Sequence, residues 1–305
     1  MIMKLLNLII LLFVPFVMMG IITKTKAFWG GRKGAPILQP WYDFVKLMKK
    51  DYVISNTTSA VFKIAPVFAI ATALFAGAFV PLASGSAMIN VQAGLIIFAY
   101  TLGLGKFMSL ISAMDTGSSF EGMGASREAC FTSIVEPAFF MLIASIMAIS
   151  GNFTFDSLSM IMQNAGSYGV LITVFAVVVL FLMILIEGSR VPVDDPATHL
   201  ELTMIHEVMI LDNSGSDLAL FTWANGIKML LVSSLIANII IPNSVSGWLS
   251  VILYLLILVT ISLLIGTIES GMARIRMSHV FEFIFIMSSL SLVVLALVAA
   301  RMFGG

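Results

Sequence analysis

Carboxylates stand at the ends of long apolar runs, where their protonation state could change. Glu136 precedes one apolar run, Glu187 closes another, and Glu201 lies in a stripe of apolar residues. A charged carboxylate near the middle of a membrane costs about 2–4 kcal/mol even on the most lenient insertion scale. Such a group should face a bundle interior or water, where its pKa can move towards neutral pH. These three glutamates are therefore candidates for a proton or ion path.

The segment 187–207 concentrates further charges. A carboxylate at a helix C-terminus is unfavourable unless a cation compensates it, and Arg190 is near enough to Glu187 in sequence to do so. Asp195 and Pro196 suit the cap and the first position of a helix that would run to Ile210. With 100° between residues, one side of that helix would carry His199, Thr203, His206 and Glu207.

Metal binding and catalysis are weaker explanations of these residues. His199, His206 and Glu207 could ligate a metal, but two histidines and a glutamate on one helix are more often polar interface residues. The zinc-protease pattern that would begin at His206 fails, because position 210 is Ile. No Ser/His/Asp set, phosphate loop or dinucleotide fingerprint occurs. The single cysteine, Cys130, excludes an iron–sulfur cluster ligated by cysteines of this chain alone.

The elements that must position these residues are membrane helices. The chain has 305 residues, of which 60% are hydrophobic and 10% charged, whereas soluble domains carry about 25% charged residues. Its mean hydropathy is +1.08. Apolar runs long enough to span a bilayer recur throughout, which predicts an all-α polytopic membrane protein. The net charge of zero gives no reason to expect a nucleic-acid partner.

We predict a single membrane domain over residues 1–305, with about eight transmembrane helices. Their approximate limits are 3–22, 61–82, 91–112, 134–150, 167–187, 219–241, 246–268 and 280–300.

The distribution of basic residues predicts the orientation. Every lysine and arginine except Lys4 and Arg301 lies in the linkers after spans 1, 3, 5 and 7, or in the helix ends beside them. The positive-inside rule therefore places these linkers in the cytoplasm and both termini outside the cell membrane. The cytoplasmic loops would cover about 23–60, 113–133, 188–218 and 269–279. Because the polar residues concentrate on this side, we expect a partner to dock there.

The first of these loops contains an amphipathic pattern after Pro40, which suits the first turn of a helix. Its apolar side would hold Trp41, Phe44, Val45 and Met48, and its polar side Asp43, Lys46 and Lys50. This pattern predicts a helix lying at the membrane interface. It could serve as a simple membrane-surface anchor or as the rim of a chamber beneath partner subunits.

Three further expectations concern the start of the fourth span and the charged residues in or near other spans. Ser126 is predicted as the N-cap of the helix that leads into the fourth span, after a Gly/Ser loop. Lys106 and Lys228 fall inside spans and are expected to extend towards the nearer membrane surface. Glu269 and Glu282 are expected to be buried near the same side as Glu136 and Glu187, where an ion path would begin.

Three long segments resemble a known family: 34–46 (GAPILQPWYDFVK), 115–137 (DTGSSFEGMGASREACFTSIVEP) and 187–207 (EGSRVPVDDPATHLELTMIHE). They are similar to a membrane subunit that respiratory complex I, where it is the first or H component, shares with the energy-converting group 4 [NiFe] hydrogenases. The stretches GASRE and VEP look most like the formate hydrogenlyase branch.

The resemblance implies an ion-translocating subunit without a redox centre of its own, in the inner membrane of the cell. Its cytoplasmic partners would be a hydrogenase-like large subunit and a small subunit that carries iron–sulfur clusters. Whether nickel is retained in that arm stays open. Antiporter-like subunits and lipid would adjoin it in the membrane. The implied ion-coupling residues are Glu136, Glu187, Arg190, Asp194 and Glu201, to which we add Glu207. The implied docking surface comprises Gln39, Pro40, Asp43 and Arg127.

Two departures from the family pattern bear on the function. Ala197 and His199 stand where complex I versions carry glutamates, and 212–215 (DNSG) replaces their Glu-Tyr pair. These departures argue against quinone binding, and with the GASRE and VEP stretches they favour the hydrogenase branch. A quinone-chamber subunit remains the alternative. A free-standing secondary transporter is a further one, although such folds often show internal repeats and none is evident here. A purely structural anchor also remains open.

Overall fold

The computed structural model describes residues 2–83, 87–151, 153–159, 168–195, 204–242, 245 and 247–304. Within these ranges the chain is helical and contains no strand. Its α-helices are α1 (Ile2–Trp29), α2 (Gln39–Met48), α3 (Ala60–Phe79), α4 (Gly94–Asp115), α5 (Ser119–Ser150), α6 (Asp156–Ser159), α7 (Gly169–Glu187), α8 (Gly215–Ile240), α9 (Trp248–Gly271) and α10 (Met277–Gly304). A short 3₁₀ helix covers Glu207–Ile210.

Eight of these helices are long and apolar enough to cross a membrane, which confirms the predicted number of spans. They are α1, α3, α4, α5, α7, α8, α9 and α10. Successive spans alternate in direction, so one end of the bundle collects the ends at Trp29, Asp115, Glu187 and Gly271. We call this the loop-rich end, and the opposite one the short-loop end.

Helix α1 continues seven residues past its predicted limit at residue 22 and ends at Trp29. The extension is held against α9 by two contacts. Lys26 Nζ lies 2.9 Å from Glu269 Oε2, and Trp29 Nε1 donates to Thr267 Oγ1 at 3.3 Å. Since both partners are distant in sequence, local hydropathy could not predict this ending.

Helix α5 begins at Ser119, so the prediction of Ser126 as its N-cap is wrong. The Ser126 hydroxyl instead donates to the carbonyl of Met123 within the helix. Gly124, which suggested a loop, packs so tightly on Val208 that a Cβ there would collide with it. The small residue therefore serves close packing inside a helix rather than a turn.

Helix α8 is the central element of the bundle and contacts α1, α2, α3, α7 and α9. In its most apolar window 72% of residues are buried, against 22% in α4 at the periphery. Gly226 permits the close approach of α1, because a Cβ there would lie 3.2 Å from Cβ of Pro15. A polar residue on α8 is consequently held inside protein, whereas α4 presents much of its surface to lipid or to another subunit.

The amphipathic helix is present as α2, with Pro40 in its first turn. Its aromatic side packs on the membrane helices α1 and α8. Trp41 and Phe44 pack on Phe16 of α1 with ring centroids 5.2 and 5.3 Å apart, and Phe44 lies 5.2 Å from Trp223 of α8. The packing of Trp41 and Phe44 on Phe16 and Trp223 holds α2 against the bundle.

Candidate functional site

Lys106 of α4 is the central cation of a buried charged network. Its Nζ lies 2.5 Å from Glu187 Oε1 and 3.3 Å from Glu128 Oε1, and it donates to Thr132 Oγ1 at 3.2 Å. The Lys106 side chain is 11% exposed, so it does not extend to the membrane surface as predicted. The prediction that Arg190 compensates Glu187 is also wrong, because Lys106 neutralises that carboxylate.

His206 continues the network towards the loop-rich end. Its Nε2 lies 3.2 Å from Glu128 Oε2, and its Nδ1 lies 3.5 Å from Asp194 Oδ2. The imidazole therefore stands between a carboxylate of a membrane helix and a carboxylate of a connecting segment. A protonated His206 can join the two electrostatically, whereas a neutral ring cannot attract both.

Asp194 is fully buried and organises the surrounding backbone. Its carboxylate accepts hydrogen bonds from the N–H groups of Asp195, Ile205 and His206 at 3.0, 3.1 and 3.0 Å. Arg274 Nη2 lies 3.5 Å from its Oδ1. This predicted coupling residue therefore also holds three chain segments together.

The surroundings of these two groups shift their pKa values in opposite directions. Burial alone would lower the pKa of His206, but the carboxylates of Glu128 and Asp194 outweigh it and raise that pKa to about 9. Burial would raise the pKa of Asp194, but the hydrogen bonds and charge of His206, with the charge of Arg274, hold it below its usual value. At neutral pH both groups are charged.

A second ion-pair group lies beside the first. Arg190 Nη1 is 3.5 Å from Glu269 Oε1, and Lys26 binds the other oxygen of that carboxylate. Arg190 and Glu207 line a cavity of about 70 Å³ between α1, α8 and the turn after α7. Glu269 is buried as predicted, but Glu282 is exposed and forms an ion pair with His279.

Deeper in the bundle, Glu136 and Lys228 face a common space. A cavity of about 50 Å³, which we call the central cavity, is lined by Lys106, Glu136, Glu187 and Lys228 among apolar residues. This volume has room for more than one water molecule. Glu136 and Lys106 also line a groove of about 340 Å³ at the surface between α4 and α5. Glu136 therefore separates the interior from the lateral surface of the bundle.

The structure thus brings Glu136, Glu187, Arg190 and Asp194 to one half of the molecule, with Glu207 at its edge. Glu201 and His199 lie outside the described residues, as does half of the helix predicted from Asp195 to Ile210, residues 196–203. The described part of that segment differs from the prediction, since residues 204–206 are not helical and Glu207–Ile210 form a 3₁₀ helix. The tight backbone binding by Asp194 explains the irregular course at Ile205 and His206.

Of the predicted docking residues, three lie on α2. Asp43 is exposed there and accepts a hydrogen bond from Gln39 Nε2 at 2.9 Å, and Pro40 lies between them in sequence. Arg127 is half-buried, and its Nη1 donates to the carbonyl of Met204 at 2.9 Å. Arg127 thus ties α5 to the segment that carries His206.

Four residues of the network have no place in the ion path predicted from the sequence: Lys106, Glu128, Arg274 and the bridging His206. The position of Lys106 could have indicated its role, because an ionisable residue inside a membrane span usually faces a partner in the bundle interior. The position of Glu128 gives no such indication, because the sequence predicts this residue at the start of a helix near the membrane surface. Its burial follows only from the longer course of α5.

Comparison with known proteins gives consistent matches over most of the chain. The family model described as NADH dehydrogenase matches residues 2–299. The chain is 29% identical over 234 residues to hydrogenase-4 component C of Escherichia coli (strain K12), covering 77% of this chain and 73% of that protein. It is 26% identical over 265 residues to formate hydrogenlyase subunit 4 of the same strain, covering 85% of each.

Two other matches extend this pattern. The chain is 28% identical over 215 residues to the H component of the NADH-quinone oxidoreductase of Rhodospirillum rubrum, covering 70% of this chain and 61% of that protein. Its fold superposes with a TM-score of 0.82 on a chain of the membrane-bound sulfane sulfur reductase, an archaeal respiratory membrane complex. That match covers 97% of this chain and 98% of the other at 20% identity, and therefore shows the fold alone.

Proposed function

Because the chain belongs to the NADH dehydrogenase family of membrane subunits, we propose that it translocates ions in a group 4 [NiFe] hydrogenase-like respiratory complex. It is a membrane subunit of the complex I and hydrogenase type, as the resemblance implied. In the proposal it anchors a peripheral electron-transfer arm and couples the redox chemistry of that arm to the movement of H⁺ or Na⁺. The chain itself binds no redox cofactor, and the partner arm supplies the iron–sulfur clusters.

One observation carries this proposal: a connected line of charged groups leads from the loop-rich end into the bundle. His206 contacts Glu128, Glu128 contacts Lys106, and Lys106 contacts Glu187 beside the central cavity. Charged groups buried at membrane depth are expensive, and they typically mark ion pathways. A simple anchor would not need this arrangement.

The proposed coupling acts through the segments that carry His206 and Asp194. An electron arriving in an arm docked at the loop-rich end would change the local potential there. This change would alter the proton affinity of His206, and with it the charge opposite Glu128. The ion pairs of Lys106 would then redistribute, and an ion would move between Glu187, the central cavity and Glu136.

The comparisons support the hydrogenase-like proposal over the quinone alternative. The matches to hydrogenase-4 component C and formate hydrogenlyase subunit 4 cover 77% and 85% of this chain, against 70% for the H component of the Rhodospirillum rubrum NADH-quinone oxidoreductase. A free-standing transporter is less well supported, because the relatives described above are components or subunits of larger enzymes. The proposed orientation places the loop-rich end and α2 in the cytoplasm and both termini outside.

The test uses the native complex reconstituted into liposomes, with the Glu187→Gln variant. Electron transfer from reduced methyl viologen should continue at close to the wild-type rate, because the arm carries that reaction. Ion uptake into the vesicles should fall at least ten-fold, because the variant removes one of the two carboxylates that hold Lys106. Glu282→Gln is the matched control, since Glu282 is exposed. Wild-type uptake by Glu187→Gln would refute the role in translocation.

A further inference from the structure

Lys228 is a cation in the middle of the central helix, and it has no bonded partner among the described residues. It lies about 20 Å from Gly215 at 1.5 Å per residue, roughly halfway along the 26 residues of α8. Within the described part of the chain it makes no hydrogen bond, and no carboxylate lies within ion-pair distance of it. Lys106, by contrast, contacts two carboxylates and a hydroxyl. An ammonium group at this depth calls for an explanation.

The explanation lies in the balance of charges around the central cavity. Three acids and three bases lie in and beside it: Glu128, Glu136, Glu187, Lys106, Lys228 and His206. The cluster is neutral when all six are charged. Four of them are held in contacts with one another, whereas Lys228 and Glu136 face the cavity and make no direct bond among the described residues.

We propose that Lys228 is a proton-carrying residue that exchanges a proton with Glu136 across the central cavity. This inference rests on the proposed function. In the step, an N–H bond of the Lys228 ammonium breaks and an O–H bond forms on the Glu136 carboxylate, directly or through water in the cavity. The products are a neutral amine and a neutral carboxylic acid, so the total charge of the cluster does not change.

The position of Glu136 gives the step a direction. Glu136 lines the groove between α4 and α5 as well as the central cavity, so its acid O–H bond can break on the groove side when a proton acceptor of a neighbouring membrane subunit occupies that groove. The Lys228 amine then takes the next proton from the Glu187 side of the cavity, which the charged line connects to the loop-rich end. Lys106 keeps its proton and its positive charge in this cycle, while its ion pairs with Glu187 and Glu128 redistribute.

The same geometry identifies the ion as H⁺ rather than Na⁺. Two ammonium groups and two carboxylates stand on the wall of the central cavity. The carboxylates could attract a sodium ion, but the ammonium group of Lys228 has only donors and cannot ligate one. A proton meets no such obstacle, because it travels as a covalent N–H or O–H bond.

The experiment compares Lys228→Arg and Lys228→Met in the native complex in liposomes, driven by reduced methyl viologen. Arginine keeps the positive charge but does not release a proton under these conditions. We expect both variants to transfer electrons and to lose at least ten-fold in proton uptake, measured with a pH-sensitive dye. Lys63→Arg is the control, because Lys63 is an exposed lysine near the start of α3.

Proton uptake at the wild-type rate in Lys228→Arg would overturn the inference and leave Lys228 as a fixed charge. Uptake of radioactive sodium by the wild-type complex with no proton uptake would overturn it as well. If the wild-type complex moves no ion at all, the proposed function fails rather than the assignment of Lys228 alone.

The Lys228→His variant covers the case in which the arginine variant does not assemble. Histidine carries a proton but binds it less tightly than lysine, with ordinary pKa values of about 6.5 and 10.4. We expect proton uptake to persist with its pH optimum displaced to lower pH. An unchanged pH profile would contradict the role of Lys228 as a proton carrier.

Discussion

The loop-rich and short-loop halves of the bundle are held together by different chemistry. Every ion pair among the described residues lies in the loop-rich half. In the other half, helices join through neutral hydrogen bonds, such as the 2.6 Å bond between Ser234 and Tyr254 and the donation from Asn238 to the carbonyl of Pro81. Neutral bonds hold a shape, whereas ion pairs also respond to a change in charge nearby. In the proposed function, coupling therefore takes place in the loop-rich half.

The largest effect is expected when the shared cation is removed. Lys106→Met leaves Glu187 without its cation inside the bundle and leaves Glu128 with His206 alone. Breaking a buried ion pair in this way typically costs about 3–5 kcal/mol of unfolding free energy. The melting temperature of the purified protein in detergent should fall accordingly. The double variant Lys106→Met/Glu187→Gln should recover part of the loss, and no recovery would mean that packing rather than charge is responsible.

A smaller, pH-dependent effect is expected at His206. The folded pKa of about 9 lies above the ordinary value of 6.5. Its ion pairs therefore stabilise the fold fully below about pH 6.5, and this contribution disappears as the pH rises through about 9. We expect a difference on the order of 2–3 kcal/mol between wild type and His206→Gln at pH 6, shrinking towards pH 10. A difference that is constant with pH would show that His206 is neutral in the fold.

The smallest effect is expected in the short-loop half. Tyr254→Phe removes the hydroxyl bonded to Ser234 but keeps the ring in place. The unfolding free energy should fall by about 1 kcal/mol, the usual contribution of one neutral hydrogen bond. Ion uptake by the reconstituted complex should not change. A loss of ion uptake comparable with that of Glu187→Gln would contradict the view that only the loop-rich half takes part in ion movement.

The sequence identifies several residues of the site but not the ion pairs that those residues form. The sequence predicts Glu187, Arg190 and Asp194 as residues of one ion path, because charges beside apolar runs are costly without a role or a partner, and the structure places all three in the loop-rich half. The sequence assigned Arg190 to Glu187, since the two are close in sequence. In the fold Arg190 pairs with Glu269, and Glu187 pairs with Lys106.

The eight membrane spans, the amphipathic helix and the segments rich in acids were determined by the sequence itself. Hydropathy and helical spacing are local properties, and the bilayer selects for them one segment at a time. Tertiary structure alone decided where α1 and α5 end or begin, which carboxylates share Lys106, and that Lys228 faces Glu136. Each of these depends on side chains from separate helices meeting in the bundle, where contact geometry and exclusion of water determine the partners of a charge.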